Sequence, residues 1–165
     1  MYEVNDLIMY GNTGVCKVSG ITNQVFDNED KLYYVLEPLY QSGVIYAPID
    51  NDKVFMRPVI SEEEAKDLID NIPEIHTEIY RNSSMQQLTK YYQSVIDTHR
   101  CLDLLKLTKS IHLKKMDAMA QNRHLGQIDK KFMKRAEELL FGEFAAALQI
   151  SKEDVQEYIR KRLEE

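Results

Sequence analysis

Short runs of alternating apolar residues fill the first third of the chain, and apolar positions spaced three or four apart fill the rest. The runs Tyr2–Tyr10, Gly14–Ile21, Leu32–Leu36, Val44–Ala47 and Lys53–Met56 are rich in Val, Ile, Tyr and Leu. Turn-forming residues separate them: Gly11-Asn12, Asp27-Asn28-Glu29-Asp30, Ser42-Gly43 and Asp50-Asn51-Asp52. This pattern predicts five closely spaced strands in a small SH3-like barrel or half-barrel. Pro48 lacks an N–H and therefore belongs at a strand end or a sheet edge.

After Pro58 the apolar period changes to that of a helix. Ser61 and Glu64 form a capping box, in which the hydroxyl accepts from the Glu64 N–H and the carboxylate reaches back. Ala65, Leu68, Ile69 and Ile72 then share a face, and Pro73 ends the helix. Ser84 with Gln87 opens a second helix, with Leu88, Tyr91, Tyr92, Val95 and Ile96 inward. A third, roughly 101–121, uses Leu104, Leu105, Thr108, Ile111, Leu113, Met116 and Met119. The turn Asn122–Gly126 precedes a fourth, striped by Ile128, Phe132, Ala136, Leu139, Leu140, Phe144 and Ala147. Ser151 with Asp154 caps a fifth, which carries Val155, Tyr158, Ile159 and Leu163. The expected fold is α+β: a β domain over residues 1–58 and a compact bundle of about five helices over 59–165.

Charge is segregated along the chain. The 165 residues carry a net −6, yet residues 79–135 hold twelve lysines and arginines against four acids. Such a block within an acidic protein points to an anionic partner; a solubilising helical face is the alternative. Lys130/Lys134 and Lys131/Arg135 are like-charge pairs four apart near a helix start, where neither the pairing nor the helix dipole favours them. A partner's phosphates account for their presence better than helix stability does. The start at Gly126-Gln127-Ile128 also offers free N–H groups. Arg81, Lys90, Lys114, Lys115 and Arg123 extend the candidate DNA-binding set, and Tyr80 or Tyr91 are candidate wedges against a base step.

Catalytic patterns do not occur. There is no G-x-S-x-G, no G-x-x-x-x-G-K-[ST] and no H-E-x-x-H, and six isolated glycines build no phosphate loop. Cys16 and Cys101 read as reduced, partly buried thiols, and the four histidines stand singly, so neither a metal nor a cofactor is expected. No apolar stretch approaches the roughly 20 residues that span a bilayer, and the N-terminus does not read as a signal peptide. The expectation is a cytoplasmic, nucleoid-associated protein that is not an enzyme, with no membrane or small-molecule partner.

Tyr2 to Tyr10 followed by Gly14-Val15-Cys16-Lys17-Val18 resembles the first hairpin of the CarD/CdnL family of bacterial transcription regulators, a module shared with transcription-repair coupling factor. Tyr33 to Pro38 and Ile45 to Asn51 resemble its later strands, and Leu125-Gly126, Asp129-Lys130-Lys131 and Gly142-Glu143-Phe144-Ala145 its helical part. The resemblance implies a Tudor-like β domain that docks on the RNA polymerase β subunit, partly strand to strand. It implies a helical domain that touches double-stranded promoter DNA upstream of the melted −10 region and stabilises the open complex. Gln24, Val44, Ile45, Tyr46 and Pro48 are the residues it assigns to polymerase. The family's polymerase-facing arginines fall near Gln24 and at Tyr46, and Gln86 or Gln87 holds the place of its wedge tryptophan before Lys90-Tyr91, since the chain contains no tryptophan. A polymerase- or protein-binding adaptor without DNA contact is the alternative reading.

Overall fold

A computed structural model describes residues 1–26, 29–50 and 53–164, with Phe26 and Glu29 described by backbone alone. Its strands are β1 (Leu7–Tyr10), β2 (Gly14–Phe26), β3 (Glu29–Pro38), β4 (Ile45–Pro48) and β5 (Met56–Pro58). They form one antiparallel sheet in the order β4-β3-β2-β1-β5, and no pairing joins β4 to β5 among the described residues. Alternation places Ile8, Cys16, Val18, Tyr34, Leu36 and Ala47 on one face, where they pack on each other. A core built by a single sheet requires that sheet to curl, so the expected half-barrel is what forms. A bulge between Val18 and Gly20 marks the bend, where the Ser19 hydroxyl donates to the Val35 carbonyl at 3.1 Å.

Strand ends differ from the sequence pattern for local reasons. β1 starts at Leu7, because Asn5 takes a left-handed φ of 78° and donates its N–H to Val18. The fifth strand lies three residues later than the Lys53–Met56 run and pairs Tyr10, Met9 and Ile8 with Met56, Arg57 and Pro58. Of the expected turns, Asp27-Asn28 and Asn51-Asp52 lie outside the described residues.

Five α-helices follow: α1 (Glu62–Asp70), α2 (Met85–Ile96), α3 (Cys101–Ala120), α4 (Gln127–Leu148) and α5 (Val155–Glu164). The Ser61/Glu64 box caps α1 reciprocally, and Ser84 accepts from the Gln87 N–H to start α2. α1 stops at Asp70 and Pro73 sits in a following 3-10 turn, Ile72–Glu74. Before α5, Ser151 donates to the Asp154 carboxylate at 3.0 Å instead of capping the backbone. The helical core gathers Ala65, Ile69, Leu88, Tyr92, Ile96, Leu104, Leu105, Ile111, Phe132, Leu140 and Phe144. Leu113, Met116 and Met119 do not join it. Met116 is 52% and Met119 55% exposed.

The two cores meet through α4, which lies against the other face of the sheet. Arg57 stands opposite Met9 on that face, and its guanidinium forks onto Glu143 of α4 at 2.6 and 2.7 Å. The Glu143 side chain is completely buried. It also accepts the Ile60 N–H at 3.0 Å, from the linker, and the Cys101 thiol at 2.9 Å, from the start of α3. Arg57 also donates to the His99 carbonyl at 2.9 Å and to the Pro58 carbonyl at 3.0 Å. One carboxylate thus ties together β5, the linker, α3 and α4. Beside it the Tyr40 hydroxyl donates to the Gly142 carbonyl at 2.8 Å, and a Cβ on Gly142 would meet the Tyr40 ring at 3.0 Å. Phe55 stacks on His99 with centroids 4.4 Å apart, closing the same seam.

Both cysteines are free and buried. Burial pushes the Cys16 thiol up to about 11, and burial together with the Glu143 carboxylate pushes Cys101 higher still. Removing Arg57 would strand Glu143 as an unpaired charge away from water, which costs about 3–5 kcal/mol. Arg57→Ala is therefore expected to lower unfolding free energy by about 3 kcal/mol in urea denaturation. An unchanged midpoint would show that the pair does not hold the two cores together.

Candidate protein and nucleic-acid interfaces

β4 ends the sheet, so its outer backbone edge meets no other strand among the described residues. The Ile49 N–H donates to Leu32, and the register pairs Ala47 with Tyr34 and Ile45 with Leu36. Hydrogen-bonded and non-hydrogen-bonded pairs alternate in an antiparallel ladder, so Tyr46 and Pro48 turn their backbone groups outward. Pro48 occupies a position where the ladder needs no donor, which is why the strand tolerates it. Val44 and Tyr46 are each 51% exposed, whereas Ile45 tucks against the sheet core. These four predicted residues therefore form one edge. Gln24 stands apart on β2, paired with Lys31, beyond the stretch of β3 that β4 covers. It shares the sheet face of Tyr46, and its amide donates to Thr22 at 3.2 Å.

The predicted cations divide into three groups. At 3.6 residues per turn, Lys130, Lys131 and Lys134 lie opposite the buried Phe132, Ala136, Leu139 and Leu140, on the outer side of α4. Lys90 and Lys131 line a shallow groove between α2 and α4. Lys115, Lys130 and Lys134 line another, between α3 and α4. Together the five lysines wrap the N-terminal half of α4, and none forms an ion pair with a described residue. The exposed Arg123 lies in the turn just before α4. Arg135 points to the cleft between α4 and the sheet, beside Tyr40 and Glu138. Arg81, exposed as well, is paired with Asp117 at 2.5 Å.

Lys114 is different. Its side chain is 13% exposed and its ammonium donates to Asp129 at 2.9 Å, and the Tyr92 hydroxyl donates to the same carboxylate at 2.6 Å. Burial, then the bond to Asp129, drives the Tyr92 hydroxyl well above its ordinary range. This triad locks α2, α3 and α4 together, so Lys114 shapes the surface from beneath. Asp129 also places a carboxylate in the first turn of α4, at the end proposed for a phosphate. Tyr91 stacks on Tyr80 with centroids 3.8 Å apart and lines the α2–α3 groove, on a different side of α2 from Lys90.

Sequence reasoning did not single out Arg57, Glu143 or Tyr40 as determinants of the interface. A glutamate within a helix reads as surface, and only the partner from a distant strand makes it a buried tie. Lys109, which the sequence counts with the basic block, also turns inward; it donates to the Ile72 and Ile75 carbonyls at 2.9 and 2.7 Å.

The molecule carries both an exposed strand edge at β4 and a band of lysines around α4 without ion-pair partners among the described residues. Among the described residues no group of three His, Cys, Asp or Glu side chains converges to hold a metal ion. Among the described residues no helix is long and apolar enough to cross a membrane. Residues 2–60 match the CarD-like/TRCF RID domain. That domain family interacts with the RNA polymerase β subunit. The match covers the whole five-stranded sheet and the linker that meets Glu143, and it stops before α1. No curated protein is similar enough to the chain to match it.

The contrast between Lys114 and Lys115 gives a direct check. Lys114→Ala uncovers a buried carboxylate and should destabilise by about 3 kcal/mol, whereas Lys115→Ala should stay within about 0.5 kcal/mol. Equal urea midpoints for the two variants would contradict the buried triad.

Proposed function

We propose that the protein is a transcription regulator that grips the RNA polymerase β subunit and steadies the open promoter complex through phosphate contacts upstream of the melted −10 region. The observation that carries this reading is the RID-domain match of residues 2–60 together with the unpaired edge of β4. Strand addition to such an edge draws its affinity from main-chain hydrogen bonds and tolerates changed side chains. Gln24 and Tyr46 can therefore stand where relatives carry arginine. Tyr46 supplies an outward donor, and Tyr46 and Pro48 supply outward acceptors.

The lysine band around α4 supports the second contact. Lysines act on phosphates as point charges, which positions a protein on a duplex and gives little base preference. Without a tryptophan, and with Tyr91 stacked on Tyr80, the DNA contact in this reading rests on Lys90, Lys115, Lys130, Lys131 and Lys134, flanked by Arg123 and Arg135. Lys114 and Arg81 contribute indirectly, through Asp129 and Asp117.

The decisive experiment is open-complex lifetime on several promoters with the cognate polymerase, with and without the protein. The protein should lengthen it, and Lys130, Lys131, Lys134 and Arg135 reversed together to Glu should return it to the bare-polymerase value. If the reversed protein binds polymerase and still lengthens the lifetime, the DNA contact is wrong and the adaptor reading takes its place. Duplex affinity should also fall steeply with salt, by a log–log slope of about −0.9 per phosphate contacted.

The edge has its own test. Tyr46→Pro removes a donor that the ladder to β3 does not use, so the sheet should fold while binding to the β subunit weakens at least about tenfold. A pull-down or titration that shows undiminished binding would remove β4 from the interface.

A further inference from the structure

α3 carries its inward stripe further than its neighbours follow. Ile111 is buried, but Lys115 and Met119, one and two turns on along the same side, open onto a groove against Met133 and the lysines of α4. The groove has a volume of about 830 Å³. A second hollow shares His112, Met133 and Glu137 with it and extends the floor toward Phe141 and Ile159 of α5. The floor is apolar and methionine-rich, while Lys115, Lys130 and Lys134 stand on the rim against the single carboxylate of Glu137. Met116 adds further exposed apolar surface on α3 beside this rim.

Phosphates explain the lysines and leave the floor unexplained. An uncovered apolar trough beside cations is costly to keep in water and is characteristic of a protein-docking surface. Methionine suits such a floor because its unbranched, polarizable side chain adapts to what lands on it. A groove between two helices takes an amphipathic helix, anchored by apolar residues three and four apart. The three lysines then fix the sign of the partner's flanks. We propose that the α3–α4 groove docks an acidic amphipathic helix of a partner protein, which lays its apolar face on Met119 and Met133 and its carboxylates against Lys115, Lys130 and Lys134. Lys130 and Lys134 also belong to the phosphate band, so this partner and DNA would compete for them.

The test uses the full chain with its seven methionines methyl-labelled for NMR. The probe is a helical peptide of about 18 residues, or five turns, with leucines along one face and glutamates flanking them. Saturable shifts of the Met119 and Met133 methyls, with Met9 and Met56 unmoved, are the expected result. Met119→Glu and the pair Lys115→Glu/Lys130→Glu should each weaken the peptide about tenfold or more. The pair Lys90→Glu/Lys131→Glu should leave peptide binding within about twofold while weakening a DNA duplex, so the two readings fail separately. The proposal is overturned if the peptide moves neither methyl, or if a version with lysines for glutamates binds as well. It is overturned equally if only a duplex moves these methyls, which assigns the groove to DNA, or if raising protein concentration alone does so, which assigns it to a second copy.

Discussion

The bidentate contact between Arg57 and Glu143 governs how the rest of the molecule is arranged. The sheet supplies its own core and the helices supply theirs, so hydrophobic burial alone leaves their mutual orientation weakly defined. A completely buried carboxylate is far more demanding, since it needs donors on each oxygen and tolerates few substitutes. Glu143 finds them in a strand, the linker and the first residue of α3. A pair of apolar residues of similar volume would hold the seam as firmly, or more so, given the cost of desolvating two charges. What the ion pair adds is a single permitted geometry. Because α4 carries both Glu143 and the lysine stripe, that geometry fixes where the cations sit relative to the β4 edge.

Much of this was legible in the sequence, and what escaped did so for identifiable reasons. The change of period near residue 58 announced a sheet followed by helices, since side-chain spacing follows directly from backbone geometry. The Ser61 box and the Ser84 cap were readable because caps are local. Ser151 was not, because its hydroxyl had a carboxylate to choose over the backbone. The α3 stripe is core at Leu104, Leu105 and Ile111 and uncovered beyond them: periodicity says which residues share a side, and tertiary structure decides whether anything covers it. Met116 and Met119 show that difference. Lys114 and Lys115 show it for charge. They are identical and adjacent, yet a 100° step around α3 turns one toward Asp129 and the other toward solvent.

The cations of the helical part therefore do two kinds of work. Lys109 and Lys114 satisfy carbonyls and a carboxylate inside the fold, where their loss would be felt as instability. Lys90, Lys115, Lys130, Lys131 and Lys134 have no such partner among the described residues and keep their charge for the outside. A net count over residues 79–135 merges the two groups and overstates the outward field. The corrected surface is smaller than the block that suggested it, and it lies in the two grooves that flank α4.

Neither proposed contact is strong alone. The β4 edge offers the outward backbone groups of Tyr46 and Pro48, and strands this short are how natural sheets avoid indiscriminate pairing. Five lysines on phosphates give an affinity that physiological salt erodes steeply. Joined rigidly, the two contacts gain from proximity, because holding one partner presents the second surface at an effective concentration on the order of millimolar without any new contact. That gain exists only if the geometry lets both surfaces engage together. A flexible linker between two small cores would spread the lysines over many orientations and lose most of it. The buried Glu143, bonded at once to β5, the linker and α3, removes that freedom, so the least accessible charge in the molecule sets how well its two exposed surfaces act as one.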